Sequence, residues 1–89
     1  MILINTPGFE YSKHALDQMK LRGIEMGLVE RILRNPGEVK TEDGLKVFQS
    51  LTENKEHLIR IFVNESKNPK LIVTVYKTSK ISKYYEGKI

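Results

Sequence analysis

At Asn35-Pro36-Gly37 the hydrophobic period of this 89-residue chain changes, and no other feature constrains the fold as strongly. Before it, apolar residues recur at helical spacing; after it, they alternate. Proline cannot continue a helical ladder and disfavours helix at the residue before it, so the chain divides here into a helical part and a strand-forming part.

Ser12 is a good N-cap for a helix from Lys13 to about Arg22, which stops at Gly23. Ala15, Leu16 and Met19 share one face of it. A second helix is expected from about Met26 to Arg34, where Leu28, Val29, Ile32 and Leu33 form an apolar stripe opposite Glu30, Arg31 and Arg34. Beyond the break, strands are expected over 38–41, 45–52, 58–64 and 70–78. Glu42-Asp43-Gly44 carries the Asp-Gly hairpin signal, and Glu53-Asn54-Lys55 and Ser66 to Pro69 read as turns. The fold class this implies is α+β, two N-terminal helices packed on an antiparallel sheet of three to four strands, in one domain spanning 1–89. One sheet face would be covered by the helices and the other open. Thr6-Pro7-Gly8 reads as a turn after the apolar start Met1-Ile2-Leu3-Ile4.

If Ile59, Ile61 and Val63 face the helices, Arg60 and Phe62 face away. If Leu71, Val73 and Val75 face the helices, Ile72, Thr74, Tyr76 and Thr78 face away. The open face would then carry Arg60, Thr74 and Tyr76, edged by Lys77, a polar and cationic bed suited to a nucleic-acid backbone. Charge is placed to match. Residues 1–65 hold 9 basic and 10 acidic side chains, whereas residues 66–89 hold six lysines against Glu86 alone. That asymmetry favours a polyanionic partner; the plainer reading is a solubilising tail.

Several chemistries are set aside. No apolar run approaches the roughly 20 residues of a membrane-spanning helix. There is no cysteine, hence no disulfide framework and no thiolate site, and the default location is cytoplasmic. Neither glycine-rich nucleotide loop is present. His14 and His57 are too few for a zinc site, so neither metal nor cofactor is expected. The carboxylates are scattered, and the N-cap role already explains Ser12.

Metal-independent phosphodiester chemistry remains. Cleaving RNA through its own 2′-hydroxyl needs a base, an acid for the leaving oxygen, and cations for the phosphorane charge. His14 would supply the proton-transfer group, and Arg22 with Arg60 would stabilise the phosphate. Tyr76 or Tyr84 would stack on a base, while Lys77, Lys80 and Lys83 hold the strand. Plainer readings stand beside each role. His14 lies about 150° from the centre of the helix's apolar face, which sends it to water. Arg22 would then only complement the helix dipole, Arg60 would pair with a glutamate, and Thr74 and Tyr76 would be ordinary strand residues. His57 is assigned no role.

The order Tyr11-Ser12-Lys13-His14-Ala15, Met19, Arg22-Gly23-Ile24, Val29-Glu30, Leu33, Asn35-Pro36, closing on Val73-Thr74-Val75-Tyr76-Lys77, resembles a bacterial domain-of-unknown-function family, DUF4258-like. The likeness runs from about residue 9 to residue 85. Such domains are similar in fold to the RelE/ParE and BrnT-like toxins of toxin–antitoxin pairs. The resemblance implies a RelE-like ribonuclease toxin superfold, with His14, Arg22, Thr74 and Tyr76 as site positions.

The leading expectation is therefore a cytoplasmic, metal-independent endoribonuclease toxin. Its catalytic set would be His14, Arg22, Arg60, Thr74 and Tyr76, and its RNA-binding edge Lys77, Lys80, Lys83 and Tyr84. An antitoxin protein would neutralise it. The alternative is a non-catalytic module that binds nucleic acid or protein through the same face.

Overall fold

A computed structural model describes residues 8–86. The apolar start at Met1 to Ile4, the turn read at Thr6-Pro7, and Lys88 lie outside the described residues. The order is β1 (Phe9–Tyr11), α1 (Lys13–Arg22), α2 (Met26–Arg34), β2 (Glu38–Glu42), β3 (Leu45–Leu51), β4 (Leu58–Asn64), β5 (Lys70–Thr78) and α3 (Ile81–Tyr84). The α+β class stands, with both main helices where the apolar spacing puts them.

The sheet differs from the expectation of three to four antiparallel strands behind two leading helices. Among the described residues it has five strands, in the order β1-β5-β4-β3-β2. Its first strand precedes the helices and lies parallel to the last, pairing Phe9 with Lys70 and Tyr11 with Ile72. A three-residue strand whose partner lies some sixty positions away leaves no periodicity to read. The remaining pairs are antiparallel.

Local chemistry sets the joints. Ser12 Oγ accepts from the Ala15 amide at 3.0 Å and donates to the Val73 carbonyl at 2.8 Å, so one hydroxyl both caps α1 and ties it to β5. At the other end the Ile24 amide returns to the Met19 carbonyl, closing a Schellman turn. The β2–β3 hairpin turns on Asp43 and Gly44, both at positive φ, as a two-residue primed turn demands. Gly44 takes that conformation without a Cβ clash, and Asp43 is among the side chains that tolerate it.

The helices cover one sheet face. Ala15, Met19, Val29, Ile32 and Leu33 join Ile59, Ile61, Val63, Ile72 and Val75 in a single buried cluster. α1 packs on β5 and α2 on β3. Burying each large aliphatic side chain there contributes about 1.5–3 kcal/mol. Ile72 belongs to this face, not to the open one as simple alternation places it. The reason is a register break between Phe62 and Val63, where pairing steps from Thr74 to Ile72 and leaves Val73 unpaired, with its carbonyl taken by Ser12. Strict alternation cannot survive an extra residue.

Lys77 needs the same correction. It pairs with Ile59, on the helix-covered face, rather than edging the open one. No described helix is long and apolar enough to cross a membrane.

Candidate functional site

The second sheet face is not open. Register sets Glu38 opposite Gln49, Gln49 opposite Arg60, and Arg60 opposite Tyr76, a transverse row across four strands. Over this row runs the segment 81–86, which leaves β5 as the short helix α3 and continues as Tyr85 and Glu86 toward β2. Part of the expected basic tail, residues 81–86, is thus a strap.

Arg60 is the centre of the row and only 1% exposed. Its Nε donates to Gln49 Oε1 at 2.8 Å, and its Nη1 donates to the Tyr76 hydroxyl at 2.7 Å. Its Nη2 donates to the Glu42 carboxylate, which reaches in diagonally from the end of β2 and is itself partly exposed. Aromatic rings enclose the guanidinium: Cζ lies 4.2 Å from the Tyr84 ring centroid, 5.2 Å from that of Phe62 and 5.7 Å from that of Tyr76. Phe62 and Tyr76 stack on each other at 5.9 Å. Burial by itself weakens the hold of Arg60 on its proton, but the bonds to Tyr76 and Glu42 outweigh it, so its pKa is raised above the ordinary arginine value. The site therefore contains a permanent cation that is paired, hydrogen-bonded and stacked.

Gln49 organises the neighbouring positions. It is fully buried, and its Nε2 donates to Glu38 Oε1 at 2.6 Å and to the Tyr84 carbonyl at 2.9 Å. The Glu38 carboxylate in turn accepts from the Glu86 amide at 3.1 and 3.2 Å, and Lys40 Nζ meets the Glu86 carboxylate at 3.3 Å. Among the described residues, no buried side-chain nitrogen or oxygen lacks a hydrogen-bond partner.

Tyr85 crosses above Gly37. A Cβ on Gly37 would lie 2.6 Å from the Tyr85 hydroxyl, 3.2 Å from Ser50 Oγ and 3.3 Å from the Gln49 carbonyl, so a side chain here fits only if the Tyr85 hydroxyl moves aside.

The expected site residues thus fall into separate groups. Arg60 and Tyr76 are in direct contact, and Thr74, opposite Phe62, shares their face. Tyr84 joins them from the strap. His14 and Arg22 lie on α1, which packs on the opposite face, and both are exposed. His14 thus has the solvent-facing position that its wheel angle implies. Lys80 and Lys83 are exposed near the β5–α3 corner, with Lys83 Nζ 5.3 Å from the Tyr84 ring, and Lys77 is half-buried on the helix side. His57 sits in the turn before β4, its carbonyl accepting from the Thr52 amide.

Sequence reasoning missed Glu38, Glu42 and Gln49. The signal was present for Glu42 and Gln49. Once the Asp-Gly turn fixes the hairpin, both fall on the face of Arg60, and a buried arginine needs acceptors. Among the described residues no group of three or more histidine, cysteine or carboxylate side chains is placed to hold a metal.

The family model described as a domain of unknown function, DUF4258, matches residues 11–77. No curated protein and no solved structure matches the chain. The matched segment runs from the last residue of β1 through Lys77, and so includes both main helices and nearly all of the strands. The chain belongs to the domain-of-unknown-function family DUF4258.

Proposed function

We propose that the chain is a nucleic-acid-binding module, with RNA as its ligand, that binds through the lysine-rich end of β5 and α3 rather than through an open sheet face. One observation carries this reading. Residues 66–85 contain five lysines and no carboxylate, and Lys77, Lys80 and Lys83 form no ion pair among the described residues. Lys13, Lys40, Arg60 and Lys70 are paired with Asp17, Glu86, Glu42 and Glu65, and other cations without an ion pair among the described residues, such as Lys20, Lys46 and Lys55, lie in segments that also carry carboxylates. Unneutralised cations along the end of β5 and α3 attract phosphates and release counterions on binding. Tyr84 beside Lys83 offers an aromatic edge at the same corner. The resemblance to the RelE/ParE and BrnT-like toxins supports RNA over other polyanions.

The test is binding of a single-stranded RNA to the intact chain at several salt concentrations. The triple substitution of Lys77, Lys80 and Lys83 by alanine should weaken binding at low salt and flatten the salt slope by up to about three contacts. His14→Ala should leave both unchanged. Binding that ignores salt or survives the triple substitution contradicts the proposal.

A second reading, the metal-independent endoribonuclease, draws support from a different set than the one expected. The Glu42 carboxylate and the Tyr76 phenol both bond to the Arg60 guanidinium. In this reading the strap of residues 81–86 swings off Arg60 to admit the substrate, Glu42 takes the proton of the 2′-hydroxyl as it attacks phosphorus, and Arg60 stabilises the phosphorane. Tyr76 protonates the departing 5′-oxygen, leaving a 2′,3′-cyclic phosphate. Such an enzyme would need a neutralising antitoxin partner. Cleavage of RNA in chelator by the intact chain, lost in Glu42→Gln and Tyr76→Phe but kept in His14→Ala, would support it. No cleavage by the wild type removes it.

A further inference from the structure

We propose that the groove formed by Glu38, Lys40, Gln49 and Arg60 is a docking site for an extended segment of a partner protein. That segment would carry an aromatic residue two positions before a carboxylate. The chain's own Tyr84-Tyr85-Glu86 is the occupant that displays this chemistry.

The strap is held as a bound peptide is held. Two of its attachments are to main chain. Gln49 Nε2 donates to the carbonyl of residue 84, and the Glu38 carboxylate accepts from the amide of residue 86. Such bonds fix an extended backbone and are indifferent to its side chains. Selectivity comes from two further contacts, the face of the Tyr84 ring on the Arg60 guanidinium and the Glu86 carboxylate on Lys40. An aromatic ring and an acid two residues apart thus satisfy a cation in an aromatic enclosure and a second cation at the rim.

The occupant is weakly secured by its own structure. α3 is four residues long, has no side-chain N-cap bond and contains no buried residue. Few apolar contacts and a handful of hydrogen bonds place such a segment at the low end of local stability, so it opens without unfolding the sheet. The groove beneath is built to a higher standard. Gln49 and Arg60 are buried, and both are oriented by partners within the sheet, Glu38 for Gln49 and Tyr76 and Glu42 for Arg60. When the strap leaves, Gln49 loses one acceptor, Glu38 one donor and Lys40 its counter-charge. A partner segment of the same pattern restores all three. Exchange would also carry Lys83 and Tyr84 away from their corner, which couples partner docking to weaker nucleic-acid binding.

The experiment uses the full chain and a fluorescent peptide with the sequence of residues 80–86, in the absence of nucleic acid. Its outcome is therefore independent of the RNA reading. Tethering gives the chain's own strap a high effective concentration, so the wild type should capture the peptide weakly. Tyr84→Ala in the chain removes the ring from Arg60 and should raise peptide affinity about tenfold. Glu86→Pro in the chain removes the amide donor to Glu38 and the carboxylate on Lys40 without touching the sheet. It should raise affinity in the same direction, and it gives the answer if the tyrosine variant is poorly folded. The peptide with its own Tyr84→Ala and Glu86→Lys should not bind. The proposal is overturned if neither variant captures the peptide more tightly than the wild type, or if the altered peptide binds equally well.

Discussion

The two faces of this sheet are made from alternate residues of the same strands, yet they are closed by different physics. Ile59, Ile61 and Val63 meet α1 and α2 in an apolar cluster. Arg60, one residue along, meets Gln49, Tyr76, Glu42 and the ring of Tyr84. The apolar closure is non-directional and summed over many contacts. The polar closure is directional, and each missing partner leaves a buried group uncompensated. The comparison separates two jobs: one face holds the fold together, and the other specifies what lies across it.

Substitutions can break or sharpen that contrast. Ile61→Ala removes a fully buried side chain from the apolar face and should cost about 3 kcal/mol in denaturant unfolding, with an unchanged slope. The strap should stay seated, with the amide signals of residues 84–86 unmoved. Arg60→Ala leaves Gln49 and Glu42 without their cation. The cost should also be near 3 kcal/mol, the low end for a broken buried pair because Glu42 is partly exposed. Here the signals of residues 84–86 should shift toward unfolded positions. If both variants release the strap equally, the two faces are not separate.

The Arg60 term also has a defined pH signature. A pKa raised in the folded state gives stability that is present below the unfolded value and lost only as pH rises through the folded one. Both lie above the working range, so the deficit of Arg60→Ala should be equal at about pH 6 and about pH 9.

Smaller effects follow at the joints. Ser12→Ala removes both the cap of α1 and the bond to the Val73 carbonyl, and about 1–2 kcal/mol should be lost in thermal or denaturant unfolding. Gly37→Ala puts a methyl group against the Tyr85 hydroxyl, the far end of a side chain that can swing away. Stability should barely change, while the Tyr85 ring resonances move. His14→Ala should alter neither unfolding nor RNA binding; a large loss of binding would put the ligand on the helical side and sink the assignment to the lysine corner.

Much of the fold was legible because it rests on local chemistry. The proline break, the Ser12 cap, the Asp43-Gly44 turn and the two apolar stripes each act within a few residues, and the main helices and four antiparallel strands follow from them. β1 was not legible, since three residues take their structure from a partner at Lys70 to Ile72. The bulge at Val73 was equally hidden. It depends on Ser12 reaching a carbonyl 61 positions away, and it moved Ile72 to the other face.

The site was legible in part. Alternation placed Arg60, Thr74 and Tyr76 on one face, because that rule needs only the strand. It could not say that residues 81–86 fold back over them, since lysines and tyrosines in a short polar segment carry no periodicity. The strap is specified by Gln49 and Glu38, residues on other strands that receive its backbone.

The most direct measurement is native-state hydrogen exchange of the intact chain as a function of denaturant. If the polar closure is separable from the core, the amides of residues 83, 85 and 86 will exchange at a free energy well below that of Ile59 and Ile61. They will also show little denaturant dependence, while the β4 amides exchange only through global unfolding. A single exchange free energy shared by both sets, with the same denaturant slope, would contradict the separation of the two faces.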